Sequence, residues 1–205
     1  SDRMNLNVGL HYTKDDGYYN QYKTGRTLAE YGLEPFYIDG EKVKKSDLIR
    51  LKKNDNGFGG GVFSLSYNHG RVLAVLGGAL NNFRGHHFGQ IAWVRNYVGP
   101  INPLQEYYRN LGEKLDGNIY ARANVAIASG LSAFGDLQYR HIDYKITGRS
   151  DNFDYNTDAM QVLDIHKKYD FFNPKVGLNW DINPANRMFA SWSVAHKEPV
   201  RDNFT

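Results

Sequence analysis

The sequence predicts an all-β fold, an antiparallel up-and-down sheet of about seven strands. Three observations carry this: apolar and polar residues alternate with period two, tight turns join the alternating stretches in pairs, and long polar segments separate the pairs. Each apolar row is long enough to cross a bilayer at a tilt, which takes ~9–11 residues of strand. The expected architecture is therefore a transmembrane β-barrel fragment.

The first row is Met4, Leu6, Val8, Leu10 and Tyr12, alternating with Asn5, Asn7, Gly9, His11 and Thr13. Asn68-His69-Gly70 then joins a strand near 58–67 to one near 71–83. With Tyr67 opposite Arg71, Leu65 meets Leu73 and Phe63 meets Val75. Ser129-Gly130-Leu131 joins 114–128 to 132–147, with Ile127 opposite Ala133 and Ala123 opposite Leu137. A turn at Asn183-Pro184-Ala185-Asn186 joins 171–182 to 187–197, with Leu178 opposite Trp192. All three hairpins keep an apolar row on one side, which a one-residue slip would destroy. After Tyr139 the apolar phase moves to Ile142, Tyr144 and Ile146, which either a β-bulge near Arg140-His141 or a strand leaving the membrane would explain.

Segments 14–57, 84–113 and 148–170 read as long polar loops rich in Tyr, Asn, Asp and Gly. Short turns alternating with long loops are the pattern of outer-membrane barrels, with the short turns periplasmic. Asn68, Gly130 and Pro184 are accordingly expected on the periplasmic side. Tyr67 and Trp180 near the short turns, and Tyr12, Tyr139 and Tyr144 near the long loops, are candidates for two interfacial girdles. Seven strands is an odd number, and Ser1-Asp2-Arg3-Met4 has no apolar signal core, so the chain reads as a piece of a larger barrel. Such a piece alone would have open strand edges prone to non-native self-association.

Composition narrows the function. A net charge of +3 and one short basic run, Lys42-Val43-Lys44-Lys45, argue against nucleic acid as a partner. Cysteine is absent, which removes disulfides and thiolate metal sites. Mean hydropathy is −0.60, and no apolar run reaches the ~18 residues of a membrane-spanning helix. Tyrosine (15), phenylalanine (11) and glycine (21) are abundant, as strands and turns require. The chain carries no Gly-x-Ser-x-Gly, His-Glu-x-x-His or phosphate-loop motif, so neither an enzyme nor a cofactor is expected. Gly59-Gly60-Gly61 precedes no helical pattern and suits curvature or close backbone approach.

The last segments read Phe172-Asn173-Pro174-Lys175-Val176-Gly177-Leu178-Asn179-Trp180, Arg187-Met188-Phe189-Ala190-Ser191-Trp192-Ser193 and Glu198-Pro199-Val200-Arg201-Asp202-Asn203. They resemble the barrel of TonB-dependent receptors, with a P-K-x-G-L-x-Y strand, a Y-A-S-x-S strand and an R-E-P-x-R-x-N run. Lys197 and Trp180 depart mildly from that pattern. His87-Phe88-Gly89-Gln90-Ile91-Ala92-Trp93 and Tyr107-Tyr108-Arg109-Asn110-Leu111-Gly112-Glu113-Lys114 resemble the Bacteroidetes members. The resemblance covers roughly 58–205. It implies a 22-stranded barrel in the outer membrane of a Gram-negative bacterium, with a plug domain and further strands absent from residues 1–205. It also implies energy from TonB, received through the missing plug segment. Lipid and a small-molecule nutrient are the other expected partners.

Ligand-binding candidates come from the expected outer loops: Tyr18, Tyr19, Tyr22, Arg84, His86, His87, Arg95 and Tyr97. Aromatic rings suit catecholate, corrin or sugar faces, and arginine favours an anion. Adjacent residues on a strand point to opposite faces, so His86 and His87 are not expected to share a metal. Glu198, Pro199, Arg201 and Asn203 read as a structural network facing the lumen, and Lys175, Asp181, Arg122 and Arg187 as its polar lining. The function expected first is import of a ferric siderophore or other iron complex. Cobalamin or oligosaccharide import, a passive porin or adhesin, and a soluble β-sandwich are alternatives. A sandwich would bury the Phe172–Ile182 row against a second sheet.

Overall fold

The structure, a computed structural model, describes residues 3–102 and 104–199. Seven long strands run in one antiparallel sheet: β1 (Met4–Thr27), β4 (Lys45–His69), β5 (Val72–Val94), β6 (Glu106–Ala128), β7 (Leu131–Asp154), β8 (Ala159–Asn183) and β9 (Asn186–Ser193). Each pairs with its neighbour in the chain, apart from an insertion between β1 and β4. That insertion holds a 3₁₀ turn, Leu28–Tyr31, and the small hairpin of β2 (Phe36–Ile38) and β3 (Glu41–Val43). β1 and β9 do not pair with each other.

The register aligns one apolar row across the wall. Leu6, Leu65, Leu76, Ala121, Leu137 and Pro174 stand opposite one another in turn, and so do Val8, Phe63, Gly78, Ile119, Tyr139 and Phe172. The row between them is Asn7, Ser64, Gly77, Tyr120, Gln138 and Asn173 on the other face. One face is thus apolar and the other polar, as lipid outside and water inside demand. The apolar face is bare of protein, with Phe172 55%, Val176 48% and Leu178 49% exposed. Among the described residues no second sheet covers the Phe172–Ile182 row, which removes the β-sandwich reading.

Strand length corrects the expected loops. Most of 14–57, 84–113 and 148–170 is strand, and the last of these contains only a four-residue turn, 155–158. The β1 strand of 24 residues spans roughly 80 Å at ~3.3 Å per residue, far more than a tilted crossing of the hydrocarbon needs. Beyond the lipid the outward face is polar too and the inner face mixes polar residues with an apolar cluster, so the outward apolar row disappears while the hydrogen-bond ladder continues.

Two hairpins are displaced by two residues from the expected register, which keeps each row on its face. Val125 meets Ala133 and Ala121 meets Leu137, because the turn is Ser129-Gly130 with a bulge at Ile127. Val176 meets Trp192 and Leu178 meets Ala190 around the turn Pro184-Ala185. Here the Asn183 side-chain oxygen accepts from Ala185 N and Asn186 Nδ2, both at 3.0 Å. The third hairpin corrects a face. His69 pairs with Val72, so Leu65 meets Leu76 and Phe63 meets Gly78. The loop is the two residues Gly70-Arg71, with Gly70 at φ 59°, and the three-residue shift sends Leu73 and Val75 to the lumen face.

The phase change after Tyr139 is also decided. β7 stays in register with β8 from Leu131 to Arg149, without a bulge at Arg140-His141. Ile142 and Ile146 are fully buried on the lumen face, above the level where the outer face turns from apolar to charged. The same alternation puts Tyr144 on that face, so it drops out of the expected girdle, while Tyr12, Tyr67, Tyr139 and Trp180 share the apolar face. The strand expected over 187–197 ends at Ser193. His196 N leaves the ladder to donate to the Asn173 side chain at 2.8 Å. Gly60 shows why small residues sit mid-wall: a Cβ there would lie 2.4 Å from the Leu80 carbonyl oxygen.

Directly above the apolar row, the outward face carries ion pairs. Lys14 pairs with Asp55, Arg84 with Glu113 at 3.5 Å, and Asp143 with His166 at 2.7 Å and Lys168 at 3.2 Å. The main apolar cluster lies at the same end but inside. Leu28, Tyr31, Leu33 and Phe36 of the insertion pack on Leu48, Ile91, Val94, Tyr107, Tyr108 and Met160. The insertion therefore folds inward over the lumen face, away from the short turns.

Candidate ligand site on the lumen face

Below the inward-folded insertion, the polar halves of the strands enclose a cavity of about 360 Å³. β1 supplies Tyr19, β4 Lys52 and Asn54, β5 His87, and β6 Tyr108 and Asn110. An irregularity in the β7–β8 pairing between Arg149 and Phe153 brings Ser150, Asp151 and Asn152 in from the far side. Bulges beside a site re-aim side chains that a regular ladder would turn away.

The floor is fixed by hydrogen bonds. Asn110, 4% exposed, donates from Nδ2 to the Arg149 carbonyl at 3.0 Å. Ser150 Oγ donates to Gln161 Oε1 and accepts from Asn152 N, each at 3.1 Å. Asp151 takes Lys52 and, at 3.5 Å, Arg50. The Lys52 ammonium stands 5.9 Å from the centre of the Tyr108 ring. Tyr108 in turn packs edge-on against Tyr107, 5.0 Å between centroids, and so ties the cavity to the apolar cluster under the insertion. The result is a polar chamber with two phenol rings, cations and amides, suited to an oxygen-rich solute.

Among the residues predicted from sequence, Tyr19 and His87 line this chamber together. Tyr18 lies one residue from Tyr19 and on the outward face. Tyr22 stacks on Trp93 at 6.5 Å and donates to Asp47 at 2.7 Å, while Arg95 donates to the Tyr22 oxygen at 2.9 Å. That hydrogen bond, first among the causes, and the nearby Asp47 carboxylate raise the Arg95 pKa further above its ordinary value. Arg84 and His86 belong to β5 and face outward, so His86 and His87 stand on opposite sides of the wall. Tyr97 packs edge-on against Phe36 at 5.3 Å, within the cluster under the insertion.

Glu198 reaches the lumen face between strands. It accepts from Lys114 at 2.5 Å and from Arg140 Nη1 at 3.0 Å, and Arg140 also grips Asp116 at 2.9 and 2.6 Å. Arg122 pairs with Asp136 at 2.7 Å on the same face, and Arg187 pairs with Asp181. Lys175 lies over Phe134, 5.6 Å from the ring centre. Pro199 is exposed, and Arg201 and Asn203 lie outside the described residues.

Sequence reasoning passed over Lys52, Asn54, Asn110, Ser150, Asp151 and Asn152. They sit where alternation has faded, and only cross-strand register brings six strands, β8 through Leu163, to one chamber.

An open, antiparallel up-and-down sheet, apolar on one face and ion-paired on the other, is a β-barrel wall that crosses a membrane by strands. The chain belongs to a specific family of such walls: the family model described as TonB dependent receptor-like, beta-barrel, matches residues 1–205. Its members are outer-membrane proteins of Gram-negative bacteria and active transporters rather than enzymes. No curated protein matches the chain.

Proposed function

We propose that this chain is the ligand-facing wall of a receptor that imports a ferric siderophore or related chelated iron complex. The observation that carries this is the lumen-side chamber, where Lys52 stands with the phenol rings of Tyr19 and Tyr108. Catecholate and carboxylate siderophore complexes present oxygen-rich, anionic surfaces, and an ammonium group beside aromatic faces suits that chemistry. Iron would arrive already chelated, so the wall has to hold the chelate and not the metal.

In this reading the wall pairs through β1 and β9 with strands beyond those described, and the closed barrel holds a plug that contacts TonB. The short turns at Gly70, Gly130 and Pro184 face the periplasm, and the insertion over the chamber faces outward. Binding at the chamber then precedes plug rearrangement driven from the inner membrane.

Labelled-iron uptake by cells expressing the intact receptor tests the reading against a panel of ferric siderophores. Uptake of one complex, with its affinity lowered about tenfold or more by Tyr19→Ala with Lys52→Ala, is expected from loss of a stacked ring and a cation. Absence of uptake across the panel would overturn it. A second reading, an oligosaccharide, is favoured by Asn54, Asn110, Asn152 and Asp151 around the two rings, since planar amides and carboxylates match sugar hydroxyl pairs. Labelled oligosaccharides in the same assay separate the two.

A further inference from the structure

We propose that Asp151 is a built-in stand-in for the ligand. Its carboxylate occupies an anion subsite made by Lys52 and Arg50, and a carboxylate-bearing solute takes its place on binding. The inference rests on the chamber being the ligand site, as proposed above, and not on the solute carrying iron.

The cations are fixed and the acid is not. Lys52 and Arg50 are two residues apart on β4 and so project from one face, and both reach Asp151, Arg50 through Nη1 at 3.5 Å. Both stand in the ladder, Lys52 opposite Tyr19 and Gly89, Arg50 opposite Gln21 and Ile91. Gln21 also accepts from Arg50 Nε at 2.8 Å. By contrast, the β7–β8 ladder pairs Arg149 with Val162 and resumes at Phe153, so residues 150–152 stand outside it. Asp151 is also the outermost of the three side chains, 29% exposed against 18% for Lys52 and 12% for Arg50.

Charge and shape indicate what replaces it. One carboxylate against two largely buried cations leaves a positive charge in excess. Asp15, on the same face of β1, lies four residues from Tyr19, ~13 Å along the strand. It is already engaged, accepting from Asn54 and Asn56 at 2.7 and 2.9 Å. The β5–β6 ladder pairs Gly89 with Tyr108 and Gln90 with Glu106, so Tyr107 is an extra residue. Both phenol rings therefore lie over Gly89, where a Cβ would run into each of them. A planar carboxylate fits this corner, its flat face on a phenol and its oxygens on ammonium and guanidinium. A solute without an anion has nothing to exchange for Asp151 and leaves the ion pair closed, so Asp151 sets specificity.

Titration of the intact, detergent-solubilised receptor, followed by ligand NMR, tests this with dihydroxybenzoate and its amide, dihydroxybenzamide, alike in shape and different by one charge. The wild type is expected to bind the benzoate about tenfold more tightly, the effect of one or two charge-assisted hydrogen bonds. Asp151→Asn, which removes the competing charge, should tighten the benzoate about tenfold further, whereas loss of a merely structural Asp151 would weaken it. Lys52→Met should erase the preference. In the wild type, saturating benzoate should speed hydrogen exchange over residues 149–154, and the amide should not. Equal binding of the two probes by the wild type overturns the subsite. Unaccelerated exchange overturns the displacement, as does unchanged or weaker benzoate binding by Asp151→Asn at a wild-type unfolding midpoint. Binding of neither probe overturns the inference together with the ligand-site reading. A benzoate preference without uptake of any iron complex supports the inference and removes only the iron.

Discussion

Replacing Leu76 with arginine tests the wall's register at the point where structure and sequence reading diverge. Leu76 lies between Leu65 and Ala121 in the apolar row, with Leu137 beyond, and the row from Leu6 to Pro174 contains no carboxylate to pair with a new charge. Arginine at such a lipid-facing depth costs about 2–4 kcal/mol, which is roughly 30- to 1,000-fold in the unfolding equilibrium. Gln138→Arg is the matched control. Gln138 follows Leu137, so it stands at almost the same depth, but it faces the lumen beside Tyr120 and Asn173. Its expected cost is below about 1 kcal/mol, since lumen substitutions meet water and polar partners. Both values can be read from guanidinium unfolding of the intact receptor in lipid vesicles, followed by tryptophan fluorescence. In the register with Leu65 opposite Leu73, Leu76 faces the lumen and the two variants cost the same. Equal costs would therefore refute the register and the assignment of faces built on it.

Three further outcomes follow from the same geometry. Gly130→Ala should destabilise by roughly 1–2 kcal/mol or more, because Gly130 has φ 73° and a Cβ would lie 2.4 Å from the Asp181 carbonyl oxygen. Gly135→Ala, with nothing within 4 Å of the new atom, should stay within about 0.5 kcal/mol in the same unfolding assay. Arg140→Met leaves Asp116 and Glu198 without their shared guanidinium and should cost about 1–3 kcal/mol, with a lowered unfolding midpoint as the readout. The Tyr155 hydroxyl donates to Glu30 at 2.5 Å and joins the β7–β8 turn to the insertion. That hydrogen bond, followed by desolvation, raises the phenol pKa above its ordinary 10.0. The contact is thus present below pH ~10 and lost as pH rises through the raised value. Hydrogen exchange of residues 28–44 should accelerate in that alkaline range, and at neutral pH in Tyr155→Phe.

Local sequence determined much of the wall. Period-two rows such as Met4–Tyr12 and Phe172–Ile182 named the lipid-facing strands, because a side chain between lipid and lumen has its polarity set by the face it meets. Gly130 and Asn183 marked turns through backbone and side-chain chemistry that acts within a few residues. The strand count and family were legible for the same reason, since both reside in short, periodic segments.

Tertiary structure alone decided what depends on distant partners. The two-residue loop at Gly70-Arg71 put Leu76 outside and Val75 inside, a choice between registers that both left apolar rows facing one another. Above the lipid, cross-strand hydrogen bonds carried strands through residues whose outward face is polar as well, so composition there read as loop. Only that pairing brought Tyr19, Lys52, His87, Tyr108 and Asp151 to one chamber and sent Arg84 and His86 to the outside. Sequence carried the polarity of each face. Which residues meet across it was decided by ladders joining positions tens of residues apart, and no local pattern encodes those offsets.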